Sequence, residues 1–148
     1  SGGIAILRVG GATEAEMVER RDRVDDALHA TRAALQEGIV PGGGVALAIA
    51  SQKLKNTNDP GVAILKSTCL APIKQIVRNA GRSSDLVVEK IRESEEQNFG
   101  YDARNDVYGN MYDLGIVDPL KVVRCALQNA SSAATLLLTS ECAMVAED

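Results

Sequence analysis

The span 24–44 constrains the fold most: a helix-forming run ends at Gly38, and three consecutive glycines, Gly42-Gly43-Gly44, precede a second apolar run. Val24, Ala27, Leu28, Thr31, Ala34 and Leu35 follow the i, i+3, i+4, i+7 spacing of one buried helical stripe. Gly38 is the stop, since glycine takes left-handed C-cap geometry without a Cβ penalty. Three residues lacking a Cβ let the backbone approach a ligand closely, and free amides at the following helix start favour an anion. A phosphate seat is one reading. A flexible connection between two helices is the other, because the Gly-Lys-Ser/Thr ending of a P-loop is absent.

Taken in order, residues 4–9 (Ile-Ala-Ile-Leu-Arg-Val) lie between glycine pairs and predict a short, buried strand. Thr13-Glu14-Ala15-Glu16 has the form of a capping box and starts a helix running to Gln36 or Glu37. Further helices are predicted over 45–55 and 62–70, then from Pro72 with Ile73, Ile76, Val77 and Ala80 buried, then from Ser83 or Ser84 to about Ser94. A hairpin is expected within 99–109 around Asn105-Asp106. Asp118 reads as an N-cap with Pro119 at the first helical position. That helix runs toward Leu138 with Val123, Ala126, Leu127, Ala130, Ala134 and Leu137 inward, and residues 142–146 read as a closing strand. The fold class is mainly α, with short β elements at the start, in the hairpin near 99–109 and at the C-terminus.

Phe99, Tyr101, Tyr108 and Tyr112 are the entire aromatic supply, so the core elsewhere has to be aliphatic. With 148 residues, 45% hydrophobic and 24% charged, the chain has the size and balance of an ordinary soluble domain that needs no disulfides or metals. No apolar run reaches membrane-span length and the N-terminus lacks signal-peptide character, so a cytoplasmic location and no membrane partner are expected. A net charge of −4 with scattered Lys and Arg argues against nucleic acid as a partner. Cys69, Cys125 and Cys142 form no CxxC pair and are expected as reduced core thiols. His29 is the sole histidine, read as a partly buried helix residue, and no metal site is expected.

Three features carry candidate chemistry, each with a structural alternative. Gly42-Gly43-Gly44 is the first. Asp25 and Asp26 are adjacent on a helix and point about 100° apart, so at most one faces a given ligand. Such a carboxylate near phosphates would bind a metal or position a water, whereas a solvated helix face explains the pair without chemistry. Asp118, beside the Tyr101-Asp102-Ala103 segment, is explained by capping, yet has spare lone pairs for ribose hydroxyls.

Several motifs in fixed order resemble group I chaperonins, the GroEL family. They are Gly-Gly-Ile-Ala-Ile-Leu-Arg-Val-Gly-Gly-Ala-Thr-Glu from Gly2, Asp-Arg-Val-Asp-Asp-Ala-Leu-His-Ala-Thr-Arg-Ala-Ala from Asp22, and Glu-Gly-Ile-Val-Pro-Gly-Gly-Gly-Val-Ala-Leu from Glu37. Gly-Tyr-Asp-Ala from Gly100 and Gly-Ile-Val-Asp-Pro-Leu-Lys-Val from Gly115 complete the set. The resemblance covers essentially the whole chain, but only the C-terminal part of such a subunit. It implies an intermediate-domain segment over 1–37 and the C-terminal half of an equatorial ATPase domain over 38–148, with Gly2-Gly3 and Gly38 as hinges.

By the same resemblance, Asp26 aligns with the catalytic aspartate that positions the attacking water, and Gly43 with a glycine contacting the nucleotide. Asp102, Ala103 and Arg104 align with the adenine-pocket segment, and Asp118 with the carboxylate on the ribose. Position 102 is often Asn in the family and position 104 often small, departures that leave the side-chain roles at those two positions open while backbone contacts there can persist. The implied parent is an ATP-hydrolysing, Mg2+-dependent chaperonin, a double ring of heptamers working with a co-chaperonin on unfolded polypeptides. The family's Gly-Asp-Gly-Thr-Thr-Thr phosphate loop does not occur in these residues. The alternative is therefore a catalytically inactive helical piece that keeps its fold, binds ATP weakly at best and self-associates through uncovered apolar surface.

Overall fold

Thr13 starts the first helix, α1 (Glu14–Glu37), through the predicted capping box. Its Oγ1 accepts from the Glu16 N–H at 3.2 Å, and Glu16 Oε2 reaches back to the Ala12 N–H at 2.7 Å, so two amides at the helix start are satisfied. The computed structural model describes residues 2–55, 58–142 and 144. The elements after α1 are β1 (Ile39–Pro41), α2 (Val45–Lys53), α3 (Pro60–Cys69), α4 (Ala71–Asn79) and α5 (Ser84–Glu93). They continue as β2 (Phe99–Asp102), β3 (Val107–Asn110), β4 (Val117–Pro119) and α6 (Leu120–Thr139). The chain divides into two packing units, Ser1–Gly38 with Pro119–Asp148, and Ile39–Asp118.

In the first unit α1 packs against α6. Gly38 closes α1 by donating its N–H to the Ala34 carbonyl at 2.8 Å, and its own carbonyl accepts from the Leu120 N–H at 3.0 Å, supplying a partner at the start of α6. It does so at φ +86 and ψ −171, a positive-φ geometry that glycine takes readily but not the left-handed helical one expected. Beside it the Arg124 fork grips Glu37 through Nη2 to Oε1 at 2.6 Å and Nε to Oε2 at 3.0 Å. That hydrogen bond holds the Glu37 carboxyl below its usual range.

Several expectations fail in this unit. Neither α1 nor α6 has a buried residue, and Leu28, Leu35 and Leu137 are exposed where an inward stripe was predicted. A stripe is buried only by a facing element, and the two helices face each other over a limited part of their length. Residues 4–9 form no strand, and Ile4 is 95% exposed: no described segment offers the ladder of N–H and C=O groups a strand requires. Of the predicted strand over 142–146, Cys142 and Met144 have no strand structure, and residues 143, 145 and 146 lie outside the described residues. His29 is exposed, Cys125 half-buried and Cys142 exposed, leaving Cys69 as the one core thiol among the three free cysteines.

The second unit holds the core. Val45 and Ala48 of α2, Leu70, and Ile73 and Val77 of α4 meet Val87, Val88 and Ile91 of α5, with Tyr101 and Met111 the non-aliphatic members among the described residues. Asp59 caps α3, its Oδ1 accepting from the Gly61 N–H at 2.8 Å, so that helix begins at Pro60, before the predicted Val62. Ile76 and Ala80 are exposed, because only Ile73 and Val77 face the packed side of α4. Lys74 Nζ bonds Asp85 Oδ1 at 2.8 Å and ties α4 to α5. The hairpin pairs β2 with β3 antiparallel, Tyr101 opposite Tyr108. A second two-stranded sheet joins β1 to β4, which the sequence pattern did not disclose.

Close packing against backbone requires Gly42 and Gly44, and positive φ favours glycine at Gly43 and Gly44. Val45 N–H bonds the Gly42 carbonyl at 3.1 Å across Gly43 and Gly44, whose φ values of +65 and +80 give the pattern of a primed turn. A Cβ on Gly44 would lie 2.7 Å from the Ile73 backbone nitrogen, and one on Gly42 3.1 Å from the Ile116 and Val117 backbone. Gly44→Ala is expected to destabilise this unit by about 2–5 kcal/mol, combining positive-φ strain with a backbone clash. Urea denaturation checks this, and a change near zero would show that the turn relaxes freely.

Candidate functional site

The glycine turn has two neighbours that carry candidate site residues, both in the Ile39–Asp118 unit. A Cβ on Gly43 would stand 3.1 Å from Met111 Cε, 3.9 Å from Ile116 Cγ2 and 4.0 Å from the Tyr101 carbonyl oxygen. The turn therefore lies against the residue preceding Asp102. On its other side the Gly42 N–H donates to the Ile116 carbonyl at 2.9 Å, and Asp118 follows two residues later in β4. Among the described residues no acceptor takes the Gly43 or Gly44 N–H. Two free amides at a helix start suit a phosphate oxygen.

Asp102 is 7% exposed, and its carboxylate is consumed by its own loop. Oδ1 accepts from the N–H groups of Arg104 at 2.8 Å and Asn105 at 3.2 Å, while Oδ2 accepts from Asn105 Nδ2 at 2.6 Å. The Asn105 side chain, more than the two amides, holds the Asp102 carboxyl below its usual range despite burial. The residue thus shapes the loop over 103–106. Ala103 packs partly buried on the core, and Arg104 is exposed.

Asp118 is the opposite case. It is half-buried, with no hydrogen bond or ion pair from its carboxylate among the described residues, and burial pushes its carboxyl above the usual range. It is not the helix cap the sequence suggested. Pro119 occupies the N-cap position of α6 because Asp118 is held in extended β4, beside β1. A half-buried carboxylate left unpaired costs stability and is available to hydroxyl donors.

Asp26 is exposed on α1, in the other unit, and Asp25 beside it is exposed as well. No group of three or more His, Cys, Asp or Glu side chains suited to a metal occurs among the described residues. No described helix is long and apolar enough to cross a membrane. Sequence reasoning missed the roles of Met111 and of the hairpin's outer polar pair, Arg82 and Asp106. Gly100 was the available signal for Met111, since a Cβ there would sit 2.4 Å from its sulfur.

This mainly helical frame, with its glycine turn set between a short hairpin and a strand-borne carboxylate, is of the chaperonin class. The solved structure described as "Crystal structure of group III chaperonin in the open state" is similar to it at a TM-score of 0.78 and 25% identity. That match covers 92% of this chain and 30% of the other, so the chain spans less than a third of the protein it resembles. The sequence model of the TCP-1/cpn60 chaperonin family matches residues 1–148, and the chain belongs to that family.

The two carboxylates give opposite pH signatures. Asp102, with its lowered pKa, contributes stability above the ordinary aspartate range that is lost as pH falls through its folded value. Asp118, with its raised pKa, costs stability once ionised, and that cost disappears as pH falls through its folded value. Asp118→Asn is therefore expected to raise the melting temperature at pH 7 and Asp102→Ala to lower it. Carboxyl chemical-shift titration should place Asp118 above and Asp102 below free aspartate. The reverse order would contradict these environments.

Proposed function

We propose that this chain is part of a group I chaperonin subunit, cytoplasmic, in which ATP binding and hydrolysis drive the domain movements that enclose and help fold unfolded polypeptides. The whole protein is proposed to be a double ring of heptamers that works with a co-chaperonin. The group I assignment rests on the ordered motifs from Gly2 to Val122, and the ATPase on membership of the chaperonin family. One observation carries the nucleotide site: the Gly43 turn lies between the residue preceding Asp102 and the strand bearing Asp118.

The residues present fit one side of a bound nucleotide. Free amides at Gly43 and Gly44 receive a phosphate oxygen. The unpaired Asp118 carboxylate accepts from ribose hydroxyls. Around the base, Ala103 and Arg104 contribute backbone, because the Asp102 carboxylate is occupied by its own loop. Asp26, carried on α1, positions the attacking water. Magnesium supplies charge neutralisation on the phosphates when bound, and its ligand belongs to the family's phosphate loop, which these residues do not contain.

This division of roles separates binding from turnover. In the full-length subunit, Asp26→Ala is expected to leave ATP affinity within about threefold while lowering kcat by roughly a hundredfold or more, as for a group acting only in the transition state. Equilibrium nucleotide binding and single-turnover hydrolysis measure the two separately. An equal loss of both would make Asp26 a ligand-holding or structural residue.

A further inference from the structure

The hairpin loop carries a second polar clamp, distinct from the bonds of Asp102. Asp106 sits at the end of the loop with φ +58, and its Oδ1 accepts from the Tyr101 hydroxyl at 2.7 Å. Its Oδ2 accepts from the Arg82 guanidinium. Arg82 lies just before α5 and Tyr101 within β2, so one carboxylate joins the loop to two separate elements. The Asp106 hydrogen bond, together with burial, pushes the Tyr101 hydroxyl above its usual range. Behind it the Tyr101 ring lies 5.0 Å from that of Tyr108, and Lys90 Nζ sits 3.7 Å over the Tyr108 ring.

The two aspartates therefore do different things. Every bond of the Asp102 carboxylate stays within residues 102–105 and fixes the shape of the loop. Every bond of the Asp106 carboxylate leaves the loop and fixes its place against α5 and β2. Arg82 and Asp106 are both more than half exposed, and an ion pair in that setting contributes little to global stability. What the clamp does supply is orientation, and the backbone it orients is that of Ala103 and Arg104.

We propose that Asp106, gripped by Arg82 and Tyr101, is a positioning residue that sets where the Ala103 and Arg104 backbone meets the base of the bound nucleotide. The proposal rests on the nucleotide reading given above. Its consequence is confined to nucleotide affinity and base selection, because the clamp holds the loop and no group assigned to hydrolysis.

The test uses the full-length subunit in its assembled form, with Asp106→Asn, Arg82→Gln, Tyr101→Phe and the conservative Asp106→Glu. The first three are expected to raise the KM for ATP about tenfold and to reduce the preference for ATP over GTP by a similar factor, with kcat within twofold. Asp106→Glu should recover most of both. Tyr101→Phe keeps the buried ring, so at least one variant retains the packing of the core. Unchanged KM and base preference in all three, with or without a lower melting temperature, would reduce the clamp to a structural latch and overturn the proposal. A fall in kcat at constant KM would overturn it too. If the unsubstituted subunit fails to bind ATP, the nucleotide reading falls and this proposal with it.

Discussion

Backbone approach without side chains is the constraint on which the Ile39–Asp118 unit depends. Gly42 lies against the Ile116 and Val117 backbone, Gly44 against Ile73, and Gly100 against Met111 and Val45. These contacts bring α2, α4, the hairpin and β4 to distances that a Cβ would forbid. An aliphatic core with so few aromatic residues has little bulk to bridge wide gaps, and close packing is how it reaches native density. The same turn then has a second property. Its positive-φ geometry leaves two amides at the opening of α2 without an acceptor among the described residues, and the proposed anion seat rests on them.

Carboxylates around that turn are sorted by their partners. Asp102 is satisfied three times by its own loop and becomes part of the scaffold, and Asp106 is satisfied from outside and anchors the scaffold. Asp118 is half-buried and has no partner for its carboxylate among the described residues, which is costly in a folded chain. In the first unit the polar contacts are of another kind. Glu37 and Arg124, with Gly38 and Leu120, tie the end of α1 to the start of α6 without burying either helix.

Local signals in the sequence were legible where they act through neighbours in the chain. The Thr13 capping box, the Gly38 stop, the helix start beside Pro72 and the hairpin expected within 99–109 all follow from short-range chemistry. What was not legible depends on a partner. Residues 4–9 have strand composition but no strand to pair with among the described residues, and the stripes of α1 and α6 have periodicity but only partial cover from each other. Asp118-Pro119 reads locally as a cap, and the pairing of β4 with β1 overrides it. Gly43 and Asp118 are candidates that the sequence offers by itself, whereas the loop-bound state of Asp102 and the Arg82–Asp106–Tyr101 clamp exist only once the hairpin has folded.

Hydrogen exchange on the full-length subunit, with and without ATP, tests most directly whether the glycine turn, the hairpin loop and β4 form one nucleotide-facing surface. Slowed exchange on ATP binding is expected at the Gly43, Gly44 and Ala103 amides together, and around Asp118, with α3 unchanged. Protection that appears elsewhere while these amides stay as fast as in the nucleotide-free protein would contradict it.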